Sequence, residues 1–286
     1  MFLIDALMDW LKQILVGGTM SNLEGMFDML NTQIGTVSDL VGQTPQAWNS
    51  DIFHMLQTLS DNVMLPVASM ILTFVAAVEL MQMVIDRNNF HDIDTWMFFR
   101  WTIKTFVAVL LVTNTWDIVM AVFDVSQHIV SRAAGIVGST TIDASTLVDN
   151  MKQSLESQEA WALIPVFVLS MVLRISMVPI IACIVIVIFG RMIEIYMVVS
   201  VAPIPMATMM GKEMGSIGQN YLRSLFALGF QGFFIIVCVA IYGALTQSLV
   251  VGDDLLEALI MYTVYTVLLC FTLFKTSGLA KSIFAR

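Results

Sequence analysis

The chain has 286 residues, of which 58 % are hydrophobic and 12 % charged, with a mean hydropathy of +0.85. Ordinary soluble domains are about 45–50 % apolar and about 25 % charged, so a soluble globule, a disordered chain and a disulfide-stapled secreted scaffold are excluded. A net charge of −9 with 13 basic residues argues against a surface that coats nucleic acid, and the class that remains is an all-α, polytopic helical membrane protein.

Residues 1–61 read as amphipathic helices, extracytoplasmic or interfacial. The first charges are Asp5 and Asp9, and the first basic residue is Lys12. The start therefore lacks the basic front of a cleavable signal. Asp5, Asp9, Lys12 and Gln13 recur at three- and four-residue spacing, which puts them on one face, and Phe2, Leu3, Leu7, Trp10, Leu11 and Ile14 cover the rest. That pattern fits a helix lying in the bilayer interface or packed on a partner. Gly17-Gly18 is expected to end it. A second helix is expected from Ser21, with Glu24 three residues on as a capping box. Leu23, Phe27, Leu30, Ile34, Val37 and Val41 then form a narrow seam of heptad type. Thr44-Pro45 is a helix start, with Thr as cap and Pro in the first turn. Trp48, Ile52, Met55 and Leu59 continue a one-sided stripe. These faces pack either on the protein's own membrane domain or on another subunit.

A membrane-spanning helix needs about 20 mostly apolar residues. Within residues 62–276 five runs meet this, at about 63–85, 101–123, 161–205, 224–250 and 255–275. The third is long and kinked, and its length leaves a sixth span open. Residues 125–160 read as an outer polar loop with a short helix. Residues 211–223 read as an inner loop, and 277–286 as a short basic cytoplasmic tail. Basic residues favour the cytoplasmic side. With five spans that side holds Arg87, Arg100, Lys104, Lys212, Arg223, Lys275, Lys281 and Arg286, against Lys12, Arg132 and Lys152 outside. The expected topology has its N-terminus outside and its C-terminus in the cytoplasm of a bacterial cell.

Ionisable residues at membrane depth cost about 2.5–3.5 kcal/mol each on insertion scales, so each has two readings. Glu79 pairs with Arg100 or Lys104 near the inner interface, or lines a shared pathway. Arg191 and Glu194, three residues apart, pair on one helix face and fix the inner end of the third span, or serve a path. Arg174 has apolar neighbours on both sides. It either brackets a thinned bilayer core together with Arg191, or faces another subunit or water. Pro203 and Pro205 remove two backbone donors and stop a regular helix. The carbonyls they free must sit in protein, at the interface or beside water.

Catalytic signatures are missing. The sequence has no GxxxxGK[ST] phosphate loop, no HExxH and no GxSxG. His54, His91 and His128 lack metal-ligand spacing. Cys183, Cys238 and Cys270 fall in apolar runs, where they read as buried small hydrophobes. No catalytic residue, metal or cofactor is expected, and the protein is not read as an enzyme.

The run RMIEIYMVVSVAPIPMA at 191–207, a short Lys/Gly loop and GQNYLRSLFALGFQGFFIIV at 218–237 resemble the TrbL-type polytopic inner-membrane subunits of conjugative type IV secretion systems. The likeness is to the compact forms on mobile elements of Gram-positive bacteria, and it covers roughly residues 60–280. It implies a membrane-embedded channel or platform subunit that helps export single-stranded DNA with relaxase. It further implies partners that include a scaffold protein, ATPases on separate chains and a cell-wall hydrolase. A homo-oligomer and transient contact with single-stranded DNA also follow from it. The alternative is a stand-alone small-solute transporter or channel, motivated by Arg174 and the helix break.

Overall fold

The computed structural model describes residues 2–85, 95–137, 144–248 and 255–284. Arg87, His91 and Arg286 lie outside the described residues. Among those described, every regular element is helical. In chain order they are α1 (Phe2–Val41), α2 (Pro45–Trp48), α3 (Ser50–Leu59), α4 (Leu65–Ile85), α5 (Thr95–Thr113), α6 (Thr115–Val137), α7 (Ala144–Ser157), α8 (Ala160–Ser200), α9 (Pro203–Thr208), α10 (Gly215–Gln247) and α11 (Leu255–Phe284). A π-helical turn, Ser60–Met64, joins α3 to α4 without a break.

Among the described residues, five helices are long and apolar enough to cross a membrane: Ser50–Ile85, Thr95–Thr113, Ala160–Ser200, Gly215–Gln247 and Glu257–Phe284. The protein is an all-α polytopic membrane protein. The long apolar stretch after residue 160 is one continuous helix, with Pro165 and Pro179 inside it.

Three features depart from the sequence reading, each for a physical reason. The first is α1, which runs unbroken through Gly17-Gly18 and carries Ser21 inside the helix rather than at a cap. Glycine costs a helix roughly 1 kcal/mol relative to Ala, but here close packing sets its use. A Cβ on Gly18 would come within 2.6 Å of the Phe167 ring, and one on Gly25 within 3.2 Å of the Arg174 guanidinium. The second is residues 125–137, which continue α6. Val119, Phe123, Ser126 and Val130 are buried at steps of four and three, while Asp117, Asp124, His128 and Arg132 face outward. Such polarity marks an amphipathic helix as much as a loop. The third is α3, where the extra residue per turn of the π-helical segment that follows shifts the buried line to Phe53 and, in that segment, Ser60, leaving Met55 and Leu59 exposed.

Local chemistry explains the short elements. Thr44 accepts the Ala47 N–H at 3.1 Å and Pro45 opens α2. Asn49 then caps α3 through the Ile52 N–H at 3.0 Å.

The chain forms two units. The first holds Met1–Val41, Ser131–Phe189 and Phe233–Thr276; the second holds Gly42–Val130, Gly190–Gly232 and Ser277–Arg286. In the first, the α1 seam is buried against its own chain. Leu23, Phe27, Leu30, Val37 and Val41 are covered, and Phe27 meets Tyr262 edge-on at 4.7 Å between ring centroids. In the second, one apolar cluster joins Phe53, Trp116, Phe123, Met192, Ile195 and Leu228. Another joins Leu72, Val75 and Ala76 of α4 to Val112 of α5 and to Ala207 and Met210 beyond the proline break.

Candidate functional site

The polar groups of the second unit gather at two places. At the first, α8 stops at Ser200, and Pro203 and Pro205 open the six-residue helix α9. Proline is at home in the first turn of a helix, where its missing N–H has no partner to lose. Pro203, Met206, Ala207 and Thr208 are buried, and α9 packs on α4 and α5. The break is thus enclosed by protein rather than exposed to lipid. The chain then turns through Gly211 and back into α10. A Cβ on Gly211 would lie 2.9 Å from Val75, and one on Gly218 would lie 2.6 Å from the Pro205 carbonyl oxygen. Only hydrogen fits at these two approaches.

Glu79 of α4 closes this turn. Its carboxylate is buried and bonded to the Lys104 ammonium of α5. Its second oxygen accepts the Lys212 backbone N–H at 2.9 Å. One turn further on, Gln82 donates to Glu213 at 3.1 Å. A single side chain therefore ties together α4, α5 and the turn after the proline break. Glu79, Gln82, Lys212 and Glu213 line a small recess there. Trp101 of α5 adds a hydrogen bond to the Ala76 carbonyl of α4 at 3.2 Å.

The second place surrounds Arg191. Its guanidinium is buried and donates to the Gly229 carbonyl of α10 at 3.5 Å. Two glycines of α10 allow close approach here, Gly232 to Arg191 and Gly229 to Ser126. A Cβ on Gly232 would lie 2.9 Å from Arg191 Nη2, and one on Gly229 would lie 2.3 Å from Ser126 Oγ of α6. Glu194 faces the other way and pairs with Lys281 of α11 at 2.8 Å. Tyr196, one turn along α8, donates to the Pro45 carbonyl at 2.6 Å, and Tyr221 donates to the Val198 carbonyl at 3.1 Å.

The structure thus brings Glu79 to the turn that follows Pro203 and Pro205. It divides Arg191 and Glu194 between α10 and α11. Arg174 lies in the first unit, where it donates to Asn22 of α1 at 3.1 Å. Sequence reasoning missed Gly218, Gly229 and Gly232, Lys281 as partner of Glu194, and the Lys212 amide. The one available signal was glycine inside an otherwise apolar run, which marks close approach of another group. Among the described residues, no group of three His, Cys, Asp or Glu side chains could hold a metal ion.

This arrangement fixes helices to one another. A family model described as TrbL/VirB6 plasmid conjugal transfer like protein matches residues 30–203. No curated protein and no solved structure matches the chain. The matched region runs from the α1 seam through the first three spans to Pro203, and so takes in Glu79, Arg174, Arg191 and Glu194. A chain matched over more than half its length, with five helices fit to cross a membrane, belongs to the TrbL/VirB6 family of plasmid conjugal-transfer proteins.

Proposed function

We propose that the protein is a channel or platform subunit of a conjugative type IV secretion apparatus in the cytoplasmic membrane, and that it assists export of single-stranded DNA with its relaxase. The match over residues 30–203 carries this reading. Charged groups spent on holding helices together support a structural part, and the sequence has no nucleotide-binding loop of the P-loop type with which to drive transport. Energy then comes from ATPases on other chains, and a scaffold protein and a cell-wall hydrolase complete the apparatus. The N-terminus lies outside and the C-terminus inside, with several copies of the chain arranged together. Arg174, which motivated a solute transporter, is engaged with Asn22. Deleting the gene in a donor strain abolishes transfer of the mobile element and leaves growth unchanged; restoring it in trans returns transfer. Undiminished transfer from the deletion strain overturns the reading.

A further inference from the structure

Two of the three cysteines meet inside the first unit. Cys183 of α8 is half-buried, Cys270 of α11 is buried, and their thiols are hydrogen-bonded to each other. Cys238 of α10 stands apart and shares a hydrogen bond with Thr272.

Contacts elsewhere in the unit place the same two residues side by side. A Cβ on Gly18 would meet Phe167, Asn22 donates to Ser170 at 3.1 Å, and Gly25 abuts Arg174. Both sets of numbers rise together, so α1 and α8 run parallel, and Phe27 is level with about residue 176 of α8. Phe27 also meets Tyr262 of α11 at 4.7 Å between ring centroids. Tyr262 precedes Cys270 by eight residues, and residue 176 precedes Cys183 by seven. Two contacts at matching intervals mean that α8 and α11 are parallel neighbours, so the thiols are held together by the register of both helices. Sulfurs that share a hydrogen bond need only side-chain rotation to reach the ~2.05 Å of an S–S bond.

The surroundings select the oxidant. Residues 175–190 and 258–274 carry no charged side chain, and both runs belong to helices fit to cross a membrane. A charged, water-soluble disulfide such as oxidised glutathione exchanges with thiolates in water and does not partition into such a run. A lipid-soluble quinone does. Ile186 and Phe271, within three residues of the thiols, are 62 % and 63 % exposed, so the approach from the lipid side is open.

We propose that Cys183 and Cys270 form a redox-closable link between α8 and α11, oxidised by a membrane quinone. Two S–H bonds break and one S–S bond forms; both protons and both electrons pass to the quinone, which leaves as hydroquinone. The link ties residues between which the whole of α10 intervenes and closes a long loop, which restricts the unfolded chain. An oxidised membrane therefore holds α8 and α11 together covalently, and a reduced one leaves them joined by packing alone.

The test uses the full chain with Cys238→Ala, in native membranes. Thiols are trapped with acid, and a polymer-bearing maleimide added after denaturation counts them on a gel. A reduced chain takes up two polymers and a linked chain none. Duroquinone, whose ring has no free position for a thiol to add to, gives at least tenfold more linked chain than its hydroquinone. Oxidised glutathione at the same concentration gives no increase. In growing cells the linked fraction rises when aeration oxidises the quinone pool and falls when it is reduced. Cys183→Ser and Cys270→Ser, each nearly isosteric, abolish the linked monomer. Absence of linked chain with duroquinone overturns the proposal, as does a linked fraction in cells that ignores the quinone pool. Equal linking by oxidised glutathione overturns the membrane oxidant, and a disulfide-bonded dimer in place of the linked monomer overturns the pairing. None of these outcomes depends on whether DNA transfer requires the chain.

Discussion

Gly218→Ala lowers the thermal midpoint of the detergent-solubilised protein by at least about 2 °C. The substituent would lie 2.2 Å from Met209 Cγ and 2.6 Å from the Pro205 carbonyl oxygen. The methionine can swing away, but the carbonyl belongs to the backbone of α9, which α4 and α5 hold in place. Forcing an extra methyl into packed surroundings costs about 1–3 kcal/mol, and 1 kcal/mol shifts the midpoint by roughly 2–4 °C in a chain of this order of size. Gly35→Ala is the matched control. It sits exposed in α1 with nothing within 4 Å of the added carbon, so relief of glycine's backbone entropy leaves the midpoint unchanged or higher. A Gly218→Ala protein that melts within 1 °C of the parent refutes the tight approach of α10 to α9.

Glu79→Ala frees the turn after the proline break. The substitution removes the carboxylate that neutralises Lys104 and holds the Lys212 amide. Breaking a buried ion pair costs about 3–5 kcal/mol. Lys104 is 40 % exposed on its side chain, so solvent screens it and a loss of about 2 kcal/mol is expected. Trypsin reads the local effect directly, because cleavage after Lys212 needs that backbone to open. Cleavage there accelerates at least tenfold in Glu79→Ala, while sites on α7 change little. The pair Glu79→Leu with Lys104→Met regains part of the melting temperature, since apolar packing replaces an ion pair without an orphaned charge. An unaltered cleavage rate at Lys212 in Glu79→Ala shows that the carboxylate does not hold the turn.

The parts of the fold that could be read from sequence are those set by local rules. An apolar run of 18 residues or more has few alternatives to a membrane-crossing helix, which is why five such helices were apparent. The stop at Pro203 and Pro205 and the start at Thr44-Pro45 follow from backbone donors that proline lacks. What escaped depends on distant neighbours. Gly17-Gly18 reads as a helix end because glycine weakens helices, yet Phe167, 149 residues after Gly18, fits against the gap. Arg191 and Glu194 share a helix at pairing distance, but Lys281 and the α10 glycines compete for them. The polarity of 125–137 suits a loop and an amphipathic helix alike, and only the buried partners of Val119, Phe123 and Val130 decide. Glu79 was visible as a lone acid in an apolar run; that a backbone amide would share it was not.

The bond between Glu79 and Lys104 also bears on how the protein is made. α5 carries Arg100 and Lys104 within 19 residues and is the least apolar of the five candidate spans. A lysine in mid-helix costs about 2.5–3.5 kcal/mol when a segment leaves the translocon alone. Its counter-charge sits on α4, which emerges just before it. Insertion of α5 is therefore expected to depend on α4: fused by itself to a carrier, α5 should insert into a bilayer less efficiently than the α4–α5 tandem, in which Glu79 neutralises the ammonium.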